Sequence, residues 1–239
     1  MVSVISCYSS HMRSTRIAAV LALELIVGAS AIAAQSAGTH PVSGRRFAPV
    51  MGYQGAEWLE RPERIEEEAP DSALDVLGIA KGSSVADIGA GSGYMTVRLA
   101  ARVGPDGRVF ANDLQPQMIE LLRRRVARAH ITNVTLVQGA ADDPKLPPAS
   151  VDLELMVDVY HELSQPQIML RHLREALKSG GRLVLLEYRK EDPSIPIRFE
   201  HKMSVAEAKI EVEAEGFTLS KIDESLPRQH ILIFTVAVH

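Results

Sequence analysis

The chain has 239 residues, 46% of them hydrophobic, and a formal net charge of −4. That length fills one α/β domain and leaves two cramped. The mild acidic balance and the absence of a long Lys/Arg tract argue against nucleic-acid binding. A single cysteine, Cys7, excludes an internal disulfide, a cysteine metal cluster and a cysteine nucleophile within the folded body.

The N-terminal stretch reads as a leader. Arg13 and Arg16 precede an apolar run, Ile17 to Ile32, that ends in Ala31-Ile32-Ala33, the A-x-A form of a cleavage site. Residues 1–34 are therefore expected to be a signal peptide or N-terminal leader. A cleaved leader implies export to the periplasm or beyond; an uncleaved one implies a cytoplasmic or membrane-anchored protein. The run is shorter than the ~20 residues a membrane span needs, and Glu24 in its middle opposes insertion. No stable span is expected in the mature form. Met12 is a second possible start, and its use would remove Cys7. Residues 35–56 are rich in Gly, Ser and Pro without a period, and 35–62 are expected to be a linker or lid rather than a packed element.

The folded body is expected over 63–239. Pro62 suits a helix start, and Asp71-Ser72 can cap a short helix reaching Leu77. Strands follow at Val85–Ile88, Arg108–Asn112, Val134–Gln138, Val151–Val157 and Arg182–Tyr188. Helices fall between them at Tyr94–Val103, Pro116–His130 and Gln165–Lys178. In the second of these, Met118, Ile119, Leu122 and Val126 share one face, and Arg123, Arg124, Arg125 and Arg128 read as a solvated one. A further helix is expected at Met203–Glu215. Strands separated by helices of that length mean βαβ units and a parallel sheet. The runs Phe217–Ile222 and Ile231–Val238 have no helix between them and predict a terminal antiparallel hairpin.

The stretch "SSVADIGAGSGYMTVRLA" carries the chemistry. A loop between a parallel strand and the next helix lies at the carboxyl edge of the sheet, where ligands bind in open α/β folds. Glycines there allow positive φ and close approach of a ligand to the backbone. A P-loop would need Lys-Ser/Thr after its last glycine, but Tyr94-Met95 follows. A dinucleotide fingerprint would need G-x-G-x-x-G, and neither Tyr94 nor Thr96 supplies the third glycine. What stands there is D-x-G-x-G-x-G: Asp87, Gly89, Gly91 and Gly93.

This pattern resembles the first motif of the class I S-adenosylmethionine-dependent methyltransferases, and the resemblance runs from about Ile79 to His239. It is strongest to the small-molecule branch that includes the ubiquinone/menaquinone-biosynthesis and arsenite methyltransferases. It implies a Rossmann-like, doubly wound, seven-stranded sheet, mostly parallel with one antiparallel C-terminal strand. It implies that Asp113 meets the ribose hydroxyls and that Asp142, within "VQGAADDPKLPPASVDLEL", meets the adenine amino group. Ala140 stands where many members carry an aspartate. The cofactor has no phosphate, so a basic loop is not required. Gly89, Ala90, Gly91 and Gly93 can pass close to its methionine part, with Asp87 accepting from its amino group. Leu114 and Met118 can pack on the adenine beside Ala141.

Methyl transfer is an in-line displacement from an already activated donor, so the protein mainly aligns the acceptor. After the fourth strand stand Asp158, Tyr160, His161 and Glu162, of which His161 is the best proton acceptor. After the fifth, Glu187, Arg189, His201 and Lys202 can line an acceptor pocket. Trp58, Arg61 and Arg64 can form a lid. A pairing of His161 with His201 as a metal site is conceivable, but two histidines without ligand spacing are poor evidence for one, and no metal is expected. The position after strand four reads Val157-Asp158-Val159-Tyr160, not the Asn/Asp-Pro-Pro-Tyr of the branches that methylate amino groups on DNA or glutamine. In the family it resembles, RNA C5-cytosine enzymes use a cysteine nucleophile and arsenite methyltransferases several cysteines; this body has none, so the expected acceptor is a small molecule with O, N, S or activated carbon. The alternatives are a non-catalytic S-adenosylmethionine-binding protein and, on weaker grounds, an NAD-dependent oxidoreductase.

Overall fold

The computed structural model describes residues 38–236. The leader read over 1–34 lies outside the described residues. The helices are α1 (Arg64–Glu68), α2 (Pro70–Leu77), α3 (Tyr94–Val103), α4 (Pro116–Arg128), α5 (Pro166–Ala176) and α6 (Val205–Glu213). The strands are β1 (Ser84–Ile88), β2 (Arg108–Asp113), β3 (Val134–Gln138), β4 (Val151–Val157), β5 (Leu177–Tyr188), β6 (Phe217–Asp223) and β7 (Gln229–Val236).

They form one seven-stranded sheet in the order β3-β2-β1-β4-β5-β7-β6. β7 runs antiparallel to both of its neighbours. The other pairs are parallel. β1 leads outward to β2 on one side, while β4 returns on its other side. The carboxyl ends of β1 and β4 therefore flank the point where the winding reverses, the place where open α/β sheets bind ligands.

The strands are apolar because both sheet faces are covered. α2 and α3 pack on the face of Val85, Val109, Leu155 and Val184. α5 and α6 pack on the face of Ala86, Ile88, Met156 and Leu185. A Ser204–Glu207 capping box starts α6. It satisfies two backbone donors that a helix start otherwise leaves free.

Two departures from the expected boundaries have a clear physical cause. α2 begins at Pro70, after Ala69 in the left-handed conformation, and no side chain caps it. The fixed φ of proline at the first helical position takes the role expected of Asp71-Ser72. α5 stops at Ala176 because Leu177 already pairs with Val151, so "LKSGGRL" belongs to an irregular start of β5 rather than to the helix end.

A larger difference concerns residues 38–62, expected not to pack. Arg45 is buried and grips Glu211 of α6 through Nε and Nη2, each at 2.9 Å. Its Nη1 donates to the His161 carbonyl at 3.0 Å. The Ala48 amide donates to the same carbonyl at 3.1 Å. Gln115 holds Met51 and Tyr53 through both ends of its amide, at 2.9 Å each. The anchoring is by single charges and backbone groups, which leave no hydrophobic period in the sequence. Among the described residues no helix is long and apolar enough to cross a membrane.

Candidate functional site

The glycine loop closes over the carboxyl end of β1. Gly89 has φ +70, and a Cβ there would sit 2.5 Å from Val159 Cγ2. Gly91 has φ +55, and a Cβ there would meet Leu59 Cδ1 at 2.9 Å. Both positions combine a left-handed backbone with close approach, which glycine alone accommodates. Asp87 lies beneath this loop, fully buried, and accepts the Thr96 hydroxyl at 2.5 Å. Burial raises its carboxyl to about 6, against the opposing hydrogen bond from Thr96.

Asp113 ends β2 and points back at the loop. Its two carboxylate oxygens accept the amides of Gly91 at 2.9 Å and Gln115 at 2.8 Å. Burial raises its pKa, against the pull of those amides. Each oxygen keeps a further lone pair for a ligand hydroxyl. Asn112 donates to the Pro144 carbonyl at 2.8 Å, which fixes the loop after β3.

These elements enclose a cavity lined by Gly89, Gly91, Asp113, Leu114, Met118 and Ala141, all expected cofactor contacts. Ala140 also lines it, giving an apolar wall where many relatives of the motif carry an acid. Asp87, Ala90, Gly93 and Asp142 are not among the lining residues. Asp87 and Gly93 shape the loop from below and behind, and the Asp142 carbonyl accepts His172 Nδ1 at 3.0 Å. Val50, Met51 and Gln115 are walls that sequence reasoning missed. No local pattern marks them, because the segment carrying Val50 and Met51 is brought in from outside the sheet.

A second cavity adjoins the first. It shares Val50, Met51, Asp158 and Glu162 with it and adds Trp58, His161, Tyr188, Arg198 and His201. His161 stands on the short turn Tyr160–Glu162 after β4. Its Nδ1 donates to Glu187 Oε2 at 2.6 Å, and its Nε2 lies 3.2 Å from His201 Nδ1. Glu187 is fully buried, and its other oxygen accepts the Tyr160 amide at 2.9 Å. Burial opposes the charged imidazolium, but Glu187 outweighs it and His161 titrates above the ordinary value. Burial and the neighbouring His161 push His201 down. Burial lifts Glu162 to about 7, offset in part by His161.

The other expected acceptor residues divide. Asp158 lines both cavities, with its backbone at φ +55. Burial and the charges of Glu68 and Glu187 raise its pKa well above the usual range. Tyr160, expected in the pocket, is fully buried in the core, under the Arg45 guanidinium. Neighbouring residues of a tight turn point to different sides, so sequence adjacency to His161 misplaces it. Arg189, also expected there, turns away to Glu224 and the carbonyls of the β6–β7 connection. Lys202 donates instead to the Asp192 carbonyl at 2.9 Å. Of the residues expected to form a lid, Trp58 lines the second cavity and Arg64 the first, while Arg61 lines neither. Arg61 stacks on Trp58 at 3.7 Å and pairs with Glu67 and Glu68. Arg64 lines the first cavity while held by Glu68.

The first cavity is thus walled by the carboxylates of Asp113, Asp158 and Glu162, with Arg64 its one cationic wall and already paired. That lining suits a positively charged ligand without phosphate, because an unpaired pyrophosphate would face carboxylates. S-adenosylmethionine fits: a sulfonium cation with an amino acid for the glycine backbone and a ribose for Asp113.

Residues 85–181 match the family model described as a methyltransferase domain. The ubiquinone/menaquinone biosynthesis C-methyltransferase of Hahella chejuensis is 30% identical over 125 residues, 52% of this chain and 49% of that protein. Its Pseudomonas fluorescens counterpart is 30% identical over 119 residues, covering 49% and 46%. The chain spans about half the length of these curated relatives. Among solved structures, an S-adenosylmethionine-dependent methyltransferase from Aquifex aeolicus superposes with a TM-score of 0.74 at 25% identity, over 79% of this chain and all of that one. A TehB-like methyltransferase from Corynebacterium glutamicum shares the fold, with a TM-score of 0.58 at 15% identity over 77% of this chain and 100% of that one. The sheet order, the glycine loop and these matches agree: residues 85–181 are similar to a methyltransferase domain, and the fold is that of the class I S-adenosylmethionine-dependent methyltransferases.

Proposed function

We propose that this protein transfers the methyl group of S-adenosylmethionine to a small acceptor held in the second cavity. The observation that carries the reading is the pair of adjoining cavities sharing Asp158 and Glu162: one shaped for a cation at the winding reversal, the other reaching His161. The role of the relatives as C-methyltransferases in ubiquinone and menaquinone biosynthesis supports a small acceptor.

When bound, the cofactor supplies a methyl group on a sulfonium, which needs alignment rather than further activation. The protein's residues do the rest. The Gly89–Gly91 backbone and Asp113 hold the donor. Asp158 and Glu162, whose pKa values burial raises, ionise more readily when a positive charge lies at the junction of the cavities. Glu187 accepts the hydrogen bond of His161 Nδ1–H and so leaves the Nε2 lone pair beside His201 Nδ1 on the wall of the second cavity. That lone pair is the acceptor-activating group of the site.

The test is turnover of S-adenosylmethionine to S-adenosylhomocysteine against a library of hydroxyl, thiol, amine and activated-carbon metabolites. Product with one class supports the reading. Tight cofactor binding without turnover on any class favours a sensor. Calorimetry with NAD in place of S-adenosylmethionine should show no binding. Export belongs to the same proposal, and sequencing the mature N-terminus tests it: an intact Met1 or Met12 refutes cleavage near Ala33.

A further inference from the structure

We propose that His161, Glu162 and His201 form a binding site for a divalent transition-metal ion at the floor of the acceptor cavity. This deepens the reading above and rests on it: the Nε2 lone pair of His161 activates the acceptor as a metal ligand rather than as a free base.

Four observations converge. First, one ligand atom from each of the three residues lies in a single cluster. His161 Nε2 and His201 Nδ1 are 3.2 Å apart, and Glu162 Oε1 is 3.9 Å and 3.8 Å from them. Two imidazole nitrogens on a tetrahedral ion at 2.0–2.1 Å stand about 3.3 Å apart, so the histidine pair already has ligand spacing. The carboxylate needs to move inward by only about half an ångström to complete it.

Second, His161 is held as metal-bound histidines are held. Its far nitrogen is fixed on the buried Glu187 at 2.6 Å, which sets the tautomer and raises the basicity of Nε2. The carboxylate can only accept, so Nδ1 carries the proton and Nε2 presents its lone pair. Glu187 is fixed in turn by the Tyr160 amide.

Third, the charges match. Two neutral imidazoles and the Glu162 carboxylate leave a divalent ion with one residual positive charge, which Glu187 behind His161 balances. Without an ion, Nε2 and Nδ1 satisfy one another only if a proton sits between them.

Fourth, the site opens where it is needed. All three residues line the second cavity, so a fourth coordination position faces the acceptor. Three protein ligands with one open position is the pattern of catalytic rather than structural metal sites. Two imidazoles and one carboxylate suit zinc, iron, cobalt or manganese and disfavour magnesium and calcium, which take oxygen donors.

The site selects an acceptor class: a small molecule that presents a hydroxyl or thiol to the open position. Coordination lowers the pKa of such a group, as it does for metal-bound water. The acceptor's O–H or S–H bond breaks and its proton passes to solvent. The freed lone pair forms a bond to the methyl carbon while the carbon–sulfur bond breaks, its electrons remaining on sulfur. The sulfonium charge lost is matched by the proton released.

The experiment uses the untagged full chain, stripped with a chelator and dialysed. Cobalt(II) is added as an optical probe, zinc(II) uptake is followed by calorimetry, and S-adenosylmethionine affinity is measured in parallel. The expected result is one equivalent of metal, visible d–d bands for cobalt, and turnover lost on stripping and restored by metal. His201→Ala should abolish uptake, Glu162→Gln should weaken it, and Glu187→Gln should weaken it about 10–100-fold while leaving the ligands in place. S-adenosylmethionine binding by His201→Ala reports that this variant folds, because His201 lines only the second cavity. Absence of saturable one-to-one uptake, or uptake unchanged in His201→Ala and Glu162→Gln, overturns the metal site. If turnover persists in the stripped protein, the methyltransferase reading stands and the metal inference falls. If metal binds but no acceptor is methylated, the assigned role in acceptor activation falls.

Discussion

At the level of single residues, the site divides into groups that touch a ligand and groups that shape what touches it. Asp113 is of the first kind, since it lines the cavity and accepts the Gly91 amide. A charge-assisted hydrogen bond contributes about 1.5–3 kcal/mol, so Asp113→Ala should weaken S-adenosylmethionine binding about 10–100-fold by calorimetry. Asp142→Ala should change it less than about twofold, because that side chain is not part of the wall. Equal losses in both variants would reassign the adenine end. Gly89 is of the second kind. Gly89→Ala forces a left-handed alanine and a clash with Val159, at a cost of roughly 2 kcal/mol. Its melting temperature should fall and its cofactor affinity with it. An unchanged melting curve would show that the loop relaxes freely.

Among the elements, the segment 38–62 deserves to be counted with the domain rather than before it. Gln115, at the start of α4, bridges to the backbone of Met51 and Tyr53. Gln115→Ala should raise hydrogen–deuterium exchange at Met51–Tyr53 and speed cofactor release several-fold, while the exchange of β1 and β4 stays as it was. The buried Arg45–Glu211 pair joins the same segment to α6. Removing one partner of such a pair costs about 3–5 kcal/mol, so Arg45→Ala should lower the melting temperature more than any exposed arginine of α4 does. These contacts explain what could be read from the sequence. The D-x-G-x-G-x-G loop was legible because its requirements are local: a strand end, positive φ and a helix start within a few residues. The alternation of strands and helices was legible because period encodes burial. The meeting of His161 with His201 was not, since it depends on how two loops after different strands fold back across the sheet edge. Arg45 and Met51 were not legible either, since an isolated charge and an isolated backbone amide leave no pattern.

For the whole molecule, burial of charge sets the pH response of stability. Glu154 sits in the middle of β4, fully buried, and neither of its oxygens has a hydrogen-bond partner among the described residues. Burial alone holds its pKa well above the ordinary 4.5. A carboxyl with a higher pKa in the folded state binds an extra proton there between the two values. Stability is therefore greatest below the unfolded value and falls as pH rises through that window. Glu154→Met, which keeps the volume and removes the charge, should stabilise the protein by about 1–3 kcal/mol at pH 8. That gain should shrink as pH falls toward 4.5 in thermal melts. A gain that is constant with pH would mean that Glu154 titrates at the same pH in the folded and unfolded states.

Two rooms that share a wall cannot be furnished independently. Val50, Met51, Asp158 and Glu162 border both cavities, so an occupant of the inner one finishes the floor of the outer one. An acceptor is thus expected to bind best once the donor is in place. Steady-state kinetics should therefore be ordered, with S-adenosylmethionine first on and S-adenosylhomocysteine last off. S-adenosylhomocysteine should compete with S-adenosylmethionine, and the methylated product should not. Competition by both products would instead mean that each ligand finds its place alone.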